Sequence, residues 1–228
     1  MISSVLISLA FVMSQTPAAA SASSTAIFQF EDPQLQPSFY VLEIHEDGSG
    51  HYKSTPSVPD PGTTVPSDPI GDITSQPADR DIRIGDPLRA QLFAAARSHR
   101  FFAVTCEAPK SHVAFTGKKT LSYSGADGKG SCTYNYSRDE ELNRLADQME
   151  AVAFTLEEGQ RLTLQHQHSR LALDAELETL EDAAKSGRAL EIGNIAPQLQ
   201  SIVEDETVML RARKRAKGLL DSSGAAAR

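Results

Sequence analysis

The recurrence of apolar residues between Leu142 and Ala184 constrains this chain more than any other feature. Leu142, Leu145, Met149, Val152 and Leu156 follow one another at spacings of three and four, as on one buried face of a helix. The heptad-like stripe pauses through Gly159, Thr163, His166 and Arg170. It resumes at Leu173, Leu177, Leu180 and Ala184, before Lys185-Ser186-Gly187 signals a stop. Ser137 to Glu140 reads as a capping box with Ser137 at the N-cap. The pattern predicts either one continuous helix, long enough for a coiled coil, or two segments with a kink near Gly159. About 50 helical residues would extend roughly 70 Å, further than a compact body of about 110 residues can cover. The distal half therefore forms an arm. The segments 189–203 and 206–220, with Leu190, Ile192, Ile195, Leu199, Ile202, Val203, Val208 and Leu219, are apolar enough to fold back on it.

Ahead of the helix the period changes to two. Tyr40, Leu42 and Ile44 alternate with Val41, Glu43 and His45, and Asp47-Gly48-Ser49-Gly50 turns the chain into His51-Tyr52-Lys53. Phe28 and Phe30 start an earlier strand, and Asp81 to Ile84 form a short later one. Asp86-Pro87 opens a helix, with Asp86 as its cap and Leu88, Leu92, Ala95, Ala96 and His99 on one face. Phe101 and Phe102 follow as a core plug. Val113 and Phe115, then Leu121 and Tyr123, then Cys132, Tyr134 and Tyr136 mark further strands, the last two joined by a hairpin at Gly125 to Gly130. The fold class is α+β: a small antiparallel sheet with one packed helix, then a long C-terminal helix and helical hairpin.

The boundaries follow composition. Residues 1–22 read as a signal peptide, with an apolar block from Val5 to Met13, too short to span a bilayer, and a small-residue stretch ending at Ala20 or Ala22. A β-rich domain occupies 23–137. Inside it, residues 56–79 form a Pro-rich insertion with too little apolar surface to offset its ordering entropy. The helical arm covers 138–220, and 221–228 is a disordered tail. Export places the chain in an extracytoplasmic compartment, periplasmic or secreted, where its two cysteines, Cys106 and Cys132, form a disulfide. Closing that loop stabilises the fold by roughly 3–4 kcal/mol.

Function is constrained mainly by exclusion. A formal net charge of -8 is the wrong sign for a nucleic-acid partner, and the short apolar block gives no transmembrane segment. The aspartates Asp60, Asp68, Asp72, Asp79 and Asp81 lack the register of a calcium loop, and Gly125 to Gly130 joins two strands where a phosphate loop would open a helix. His166 and His168, two apart on a helix, point about 200° apart and cannot share one metal ion. His99 reads as a packed or capping residue. No metal and no cofactor is expected. Arg211, Arg213, Lys214, Arg215 and Lys217 form a basic run able to meet an acidic partner or an envelope surface, although cations near a helix C-terminus also complement its dipole and Glu157, Glu158 or the acids from Asp174 to Asp182 could neutralise them. Two functional readings result: a non-enzymatic module that binds a protein or envelope surface through the helical arm, or a secreted hydrolase with a site assembled around His45, His51 and His112. On composition, replacing the Pro56 to Pro77 segment by a short Gly-Ser linker should leave the thermal midpoint nearly unchanged; scanning calorimetry of the two proteins checks this.

Overall fold

The structure is a computed structural model that describes residues 24–56, 76–108 and 113–226. The expected signal peptide, residues 1–22, most of the Pro-rich insertion, His112 and the last two residues lie outside the described residues. Six strands, β1 (Thr25–Glu31), β2 (Phe39–His45), β3 (Ser49–Thr55), β4 (Ala78–Arg83), β5 (Lys118–Gly125) and β6 (Gly128–Tyr134), form one antiparallel sheet. Their spatial order is β4-β3-β2-β1-β5-β6. The first four run as a meander. Helix α1 (Asp86–Ser98) then carries the chain back across one face, so that β5 can pair with the open side of β1.

The period-two alternation sends Phe28, Leu42, Ile44, Tyr52, Leu121, Cys132 and Tyr134 to the face covered by α1 and by α2 (Glu140–His168). Two expected strand positions differ. Val113 and Phe115 are exposed and precede β5 in irregular chain, and Tyr136 lies beyond the end of β6. Alternation alone did not separate a strand from a loop tied down elsewhere: Asn135 accepts from Thr116 N–H and donates to Ala114 C=O, holding 114–116 without a ladder.

Both sheet edges are occupied. At β4 the Asn194 side-chain amide accepts from Arg83 N–H at 2.7 Å and donates to Arg83 C=O at 2.8 Å, taking the place of a neighbouring strand. At β6 the chain from Arg100 to Ala108 lies alongside, fixed by the Cys106–Cys132 disulfide, whose Cα atoms are 5.8 Å apart. Here Arg100, Phe101 and Phe102 adopt positive φ (52°, 60°, 64°), a conformation costing about 1–3 kcal/mol at each non-glycine position. Offsetting this, Phe102 is fully buried and Phe101 stacks on Tyr123 at 5.2 Å. The turn fits only because Gly128 and Gly130 lack Cβ atoms, which would lie 2.2 Å from the Phe101 ring and 2.5 Å from Phe101 O.

Helix α2 starts two residues later than its capping box predicts. Asp139 is the N-cap, accepting from Glu141 and Leu142 N–H, while Ser137 Oγ accepts from Asp139 N–H. The carboxylate is favoured because it also meets the helix dipole and bonds His99 at 2.9 Å. His99 in turn bonds the Ala95 carbonyl near the end of α1, the packed, capping role its position suggested. At α1, Asp86 is the first helical residue and pairs with Arg89 rather than capping. The α1 N-terminus receives the Glu191 carboxylate at Gly85 N–H instead.

From there α2 crosses the strands. Tyr134 donates to Leu142 C=O, Lys119 pairs with Glu150, Tyr52 donates to Glu157, and Arg80 of β4 approaches Gly159. Leu142 to Gly159 rises about 26 Å, which matches about 24 Å for the width of six strands. The rest of α2 overhangs the β4 edge. Instead of projecting, it turns at Ser169–Ala172 into α3 (Leu173–Lys185), and α4 (Ala196–Glu204) and α5 (Leu210–Ala226) close around it. Leu162, Leu173, Leu177, Leu180, Ile195, Leu199, Ile202 and Leu219 form this second core. The break falls after His168, not at Gly159, and α5 continues through the expected disordered tail to Ala226.

Gly159 is straight helix because it is a contact point: a Cβ there would lie 2.3 Å from Ile195 Cγ2. Gly159→Ala should therefore destabilise the protein by up to about 2 kcal/mol, overpacking of about 1–3 kcal/mol being offset in part by a helix-propensity gain of about 1 kcal/mol. Combined with Ile195→Ala the loss should be less than additive in a denaturant double-mutant cycle.

Candidate binding surface

The basic run lies along α5, and the helical hairpin has already used much of its charge. Arg211 Nη2 is 2.5 Å from Asp174, and Arg215 reaches Asp174, Glu178 and Glu181 on α3. Arg213 donates to Val203 C=O, and Lys217 pairs with Asp221 one turn on. Lys214 is exposed. The i, i+4 spacing of Arg211 and Arg215 sets both on the α3-facing side, beside the buried Ala212 and Ala216 that let α5 approach closely. Arg211 holds the Asp174 carboxyl below its ordinary value, helped by Arg215 and opposed by burial. The acidic stretch that could neutralise the run does so for Arg211 and Arg215.

Apolar exposure marks a different part of the same unit. Leu171 is 81% exposed, Leu210 63% and Met209 41%. Leu171 lies in the α2–α3 turn, Met209 and Leu210 at the start of α5. Ion pairs tie these two turns together on either side: Arg170 to Asp205 at 3.6 Å, and Arg211 to Asp174. His166 bonds Asp205 at 2.8 Å, so the histidine pair contributes an interhelical contact on one side, while His168 points outward. Asp205 is held well below the ordinary carboxylate range, first by Thr207 and then by His166. The result is a small apolar tip with a rim of both charges: Arg170, Arg211 and Lys214 beside Glu204, Asp205 and Glu206. The tip was not legible as a site in the sequence, because the turns that carry Leu171 and Met209–Leu210 are joined through pairs between residues distant in sequence, Arg170–Asp205 and Arg211–Asp174.

Of the histidines in the hydrolase reading, His45 lies on β2 and His51 on β3, and His112 is outside the described residues. His45 and His51 line an open hollow of about 650 Å³ at the β3–β4 edge, with Ser49, Asp81, Arg83 and Asn194. His51 Nδ1 is 2.9 Å from Asp81 and Nε2 is 2.7 Å from Asp79, bonds that together require both nitrogens to donate. Those bonds raise its pKa, Asp81 most. An imidazolium held this way has no lone pair to act as a base. The Ser49 hydroxyl is engaged by Asp47 at 2.6 Å. His45 meets Thr25 Oγ1 at 3.0 Å. Among the described residues no group of His, Cys, Asp and Glu is arranged to hold a metal ion, and no helix is long and apolar enough to cross a membrane.

Neither a protein-family model nor a curated protein matches the chain.

The internal pairs can be separated from a free cationic surface. Arg215→Gln should lower the thermal midpoint more than Lys214→Gln does, because it leaves three α3 carboxylates facing one another with less compensation. The difference should shrink at high salt, where screening weakens the repulsion; thermal melts at two ionic strengths give the answer.

Proposed function

We propose that this chain is a non-enzymatic extracytoplasmic protein that binds another protein through the distal end of its helical unit. The observation that carries the reading is the exposure of Leu171, Met209 and Leu210 together, on adjacent turns of an otherwise well-covered bundle. Large side chains on two rigid turns offer a partner apolar area at little ordering cost, and flanking arginines suit an interface rim. The mixed charge of that rim favours a protein over an anionic lipid surface, which would select a uniformly basic one. The remaining exposed large side chains, Leu35, Val113, Phe115 and Tyr136, gather at one end of the sheet. Val113 follows directly in sequence on residues 109–112, which lie outside the described residues, and this group supports no reading.

Extracytoplasmic placement rests on the signal-like first 22 residues and agrees with the Cys106–Cys132 disulfide. The basic run enters the proposal through Arg211 and Lys214, at the rim, while Arg215 serves the internal pairing. A photo-crosslinking side chain placed at 171 or 210, in full-length protein in its native envelope, should yield the same adduct from both positions and none from Lys185 at the far end of α3. Leu171→Ser with Leu210→Ser should weaken capture of that adduct's protein at least tenfold with unchanged circular dichroism. Absence of adducts, or equal adducts at 185, overturns the tip as the contact surface; flotation with phospholipid vesicles that is lost in the same double variant would replace the protein partner by a membrane.

A further inference from the structure

We propose that Glu158 of α2 and Glu176 of α3 share a single proton, which makes the joint between these helices a pH-dependent latch. The two carboxyl groups meet under the overhanging half of α2, with the Glu158 side chain 1% exposed and that of Glu176 15%. One guanidinium serves both: Arg161 Nη1 lies 2.9 Å from Glu158 Oε1 and 3.0 Å from Glu176 Oε1. Gln165 Nε2 donates to the other Glu176 oxygen at 2.7 Å. That leaves Glu158 Oε2 buried with no donor to receive. A proton on Glu158 resolves the deficit, because the carboxyl groups are within hydrogen-bonding reach of each other and the bond requires one of them to be the acid.

Among the described residues the surrounding charges supply the pair no second cation. On α2, Glu157 faces β3 and receives the Tyr52 hydroxyl, adding negative charge nearby. From β4, Arg80 spends Nη2 on Asn194 C=O at 2.6 Å. The contact from the chain preceding α4 is apolar, Ile195 on Gly159. Toward α4 the next polar contact of α2 is His166 with Asp205. Arg215 of α5 is committed to Asp174, Glu178 and Glu181. Burial, then the bond to Glu176, pushes Glu158 up to about 8. Burial also opposes ionisation of Glu176, but the bonds from Glu158, Gln165 and Arg161 outweigh it and hold that carboxyl below its ordinary value.

The sign follows from proton uptake. Opening the joint returns Glu158 to water and its ordinary value of 4.5, so between there and about 8 the closed joint holds one more proton than the open one. The closed form is favoured most at the acid end of this window and loses that advantage as pH rises through it. The latch needs no assumption about what the tip binds.

Native-state hydrogen exchange on the full chain tests it. After correction for intrinsic exchange, the opening constant of α3 amides should rise about tenfold per pH unit between about pH 5 and 8. Glu158→Gln, isosteric with the acid form, should abolish that slope, while Glu178→Gln on the α5-facing side of α3 should retain it. Equal slopes in wild type and E158Q overturn the proposal. Should E158Q fail to fold, the infrared carbonyl band of a protonated carboxyl in the wild-type protein decides: a band that persists at neutral pH and is lost near 8 supports the shared proton, and its disappearance with the ordinary carboxylates refutes it.

Discussion

Everything distal to the sheet depends on one mismatch of lengths. Helix α2 crosses the strands rather than running along them, so the sheet can cover it only from Leu142 to about Gly159. The crossing is fixed at both ends: the Asp139 cap bonds His99 of α1 at the β6 side, and Gly159 seats Ile195 at the β4 side. Beyond that edge, Leu162 and the helical turns around it would face water. The chain resolves this with the α3–α5 helices, whose own apolar faces need the same cover. Two cores therefore share one helix, and the second exists because the first is narrower than α2 is long.

The sharing explains where polar groups become costly. In the sheet-facing core buried hydroxyls reach acceptors on α2, Tyr134 the Leu142 C=O and Tyr52 the Glu157 carboxylate, while Glu150 Oε1 has only the Lys119 ammonium at 3.5 Å. At the α2–α3 joint a helix turns back on itself over a few residues, and its flanks bring Glu158, Arg161, Gln165 and Glu176 together with more acceptors than donors. The same turn delivers Leu171 to the surface beside Met209 and Leu210. Tip and acid pair are thus two consequences of one reversal, one on its outer side and one on its inner side. The edge hollow differs: its histidine is neutralised by its own strand neighbours, a cross-strand arrangement that stabilises pairing rather than chemistry.

Much of the fold was written in local periodicity. Positions with period two, Phe28, Leu42, Tyr52 and Tyr134 among them, are core because a strand offers alternate residues to one face. Leu142 through Leu156 are core because a helix offers every third and fourth. The disulfide was legible for a different reason: two cysteines in a chain with an export-like leader have few other uses. Misreadings arose where a residue's role depended on a distant partner. Asp139 displaced Ser137 as cap because His99 waits beside it, and the choice between a continuous helix and a kink near Gly159 stayed open because Ile195 is invisible to its neighbours in sequence.

The α+β class, most strands and helices, the paired cysteines and the need for the last segments to meet an uncovered half-helix are legible in the sequence alone. Those are consequences of backbone geometry and side-chain polarity within a few residues. The direction of α2 across the strands, the place where the helix breaks, the use of Arg211 and Arg215 against α3, and the company of Leu171, Glu158 and Glu176 emerge from the packing of distant elements. Each of these is a balance between groups brought together from different elements, and the energy of a buried carboxylate or an exposed leucine depends on neighbours that no local pattern records.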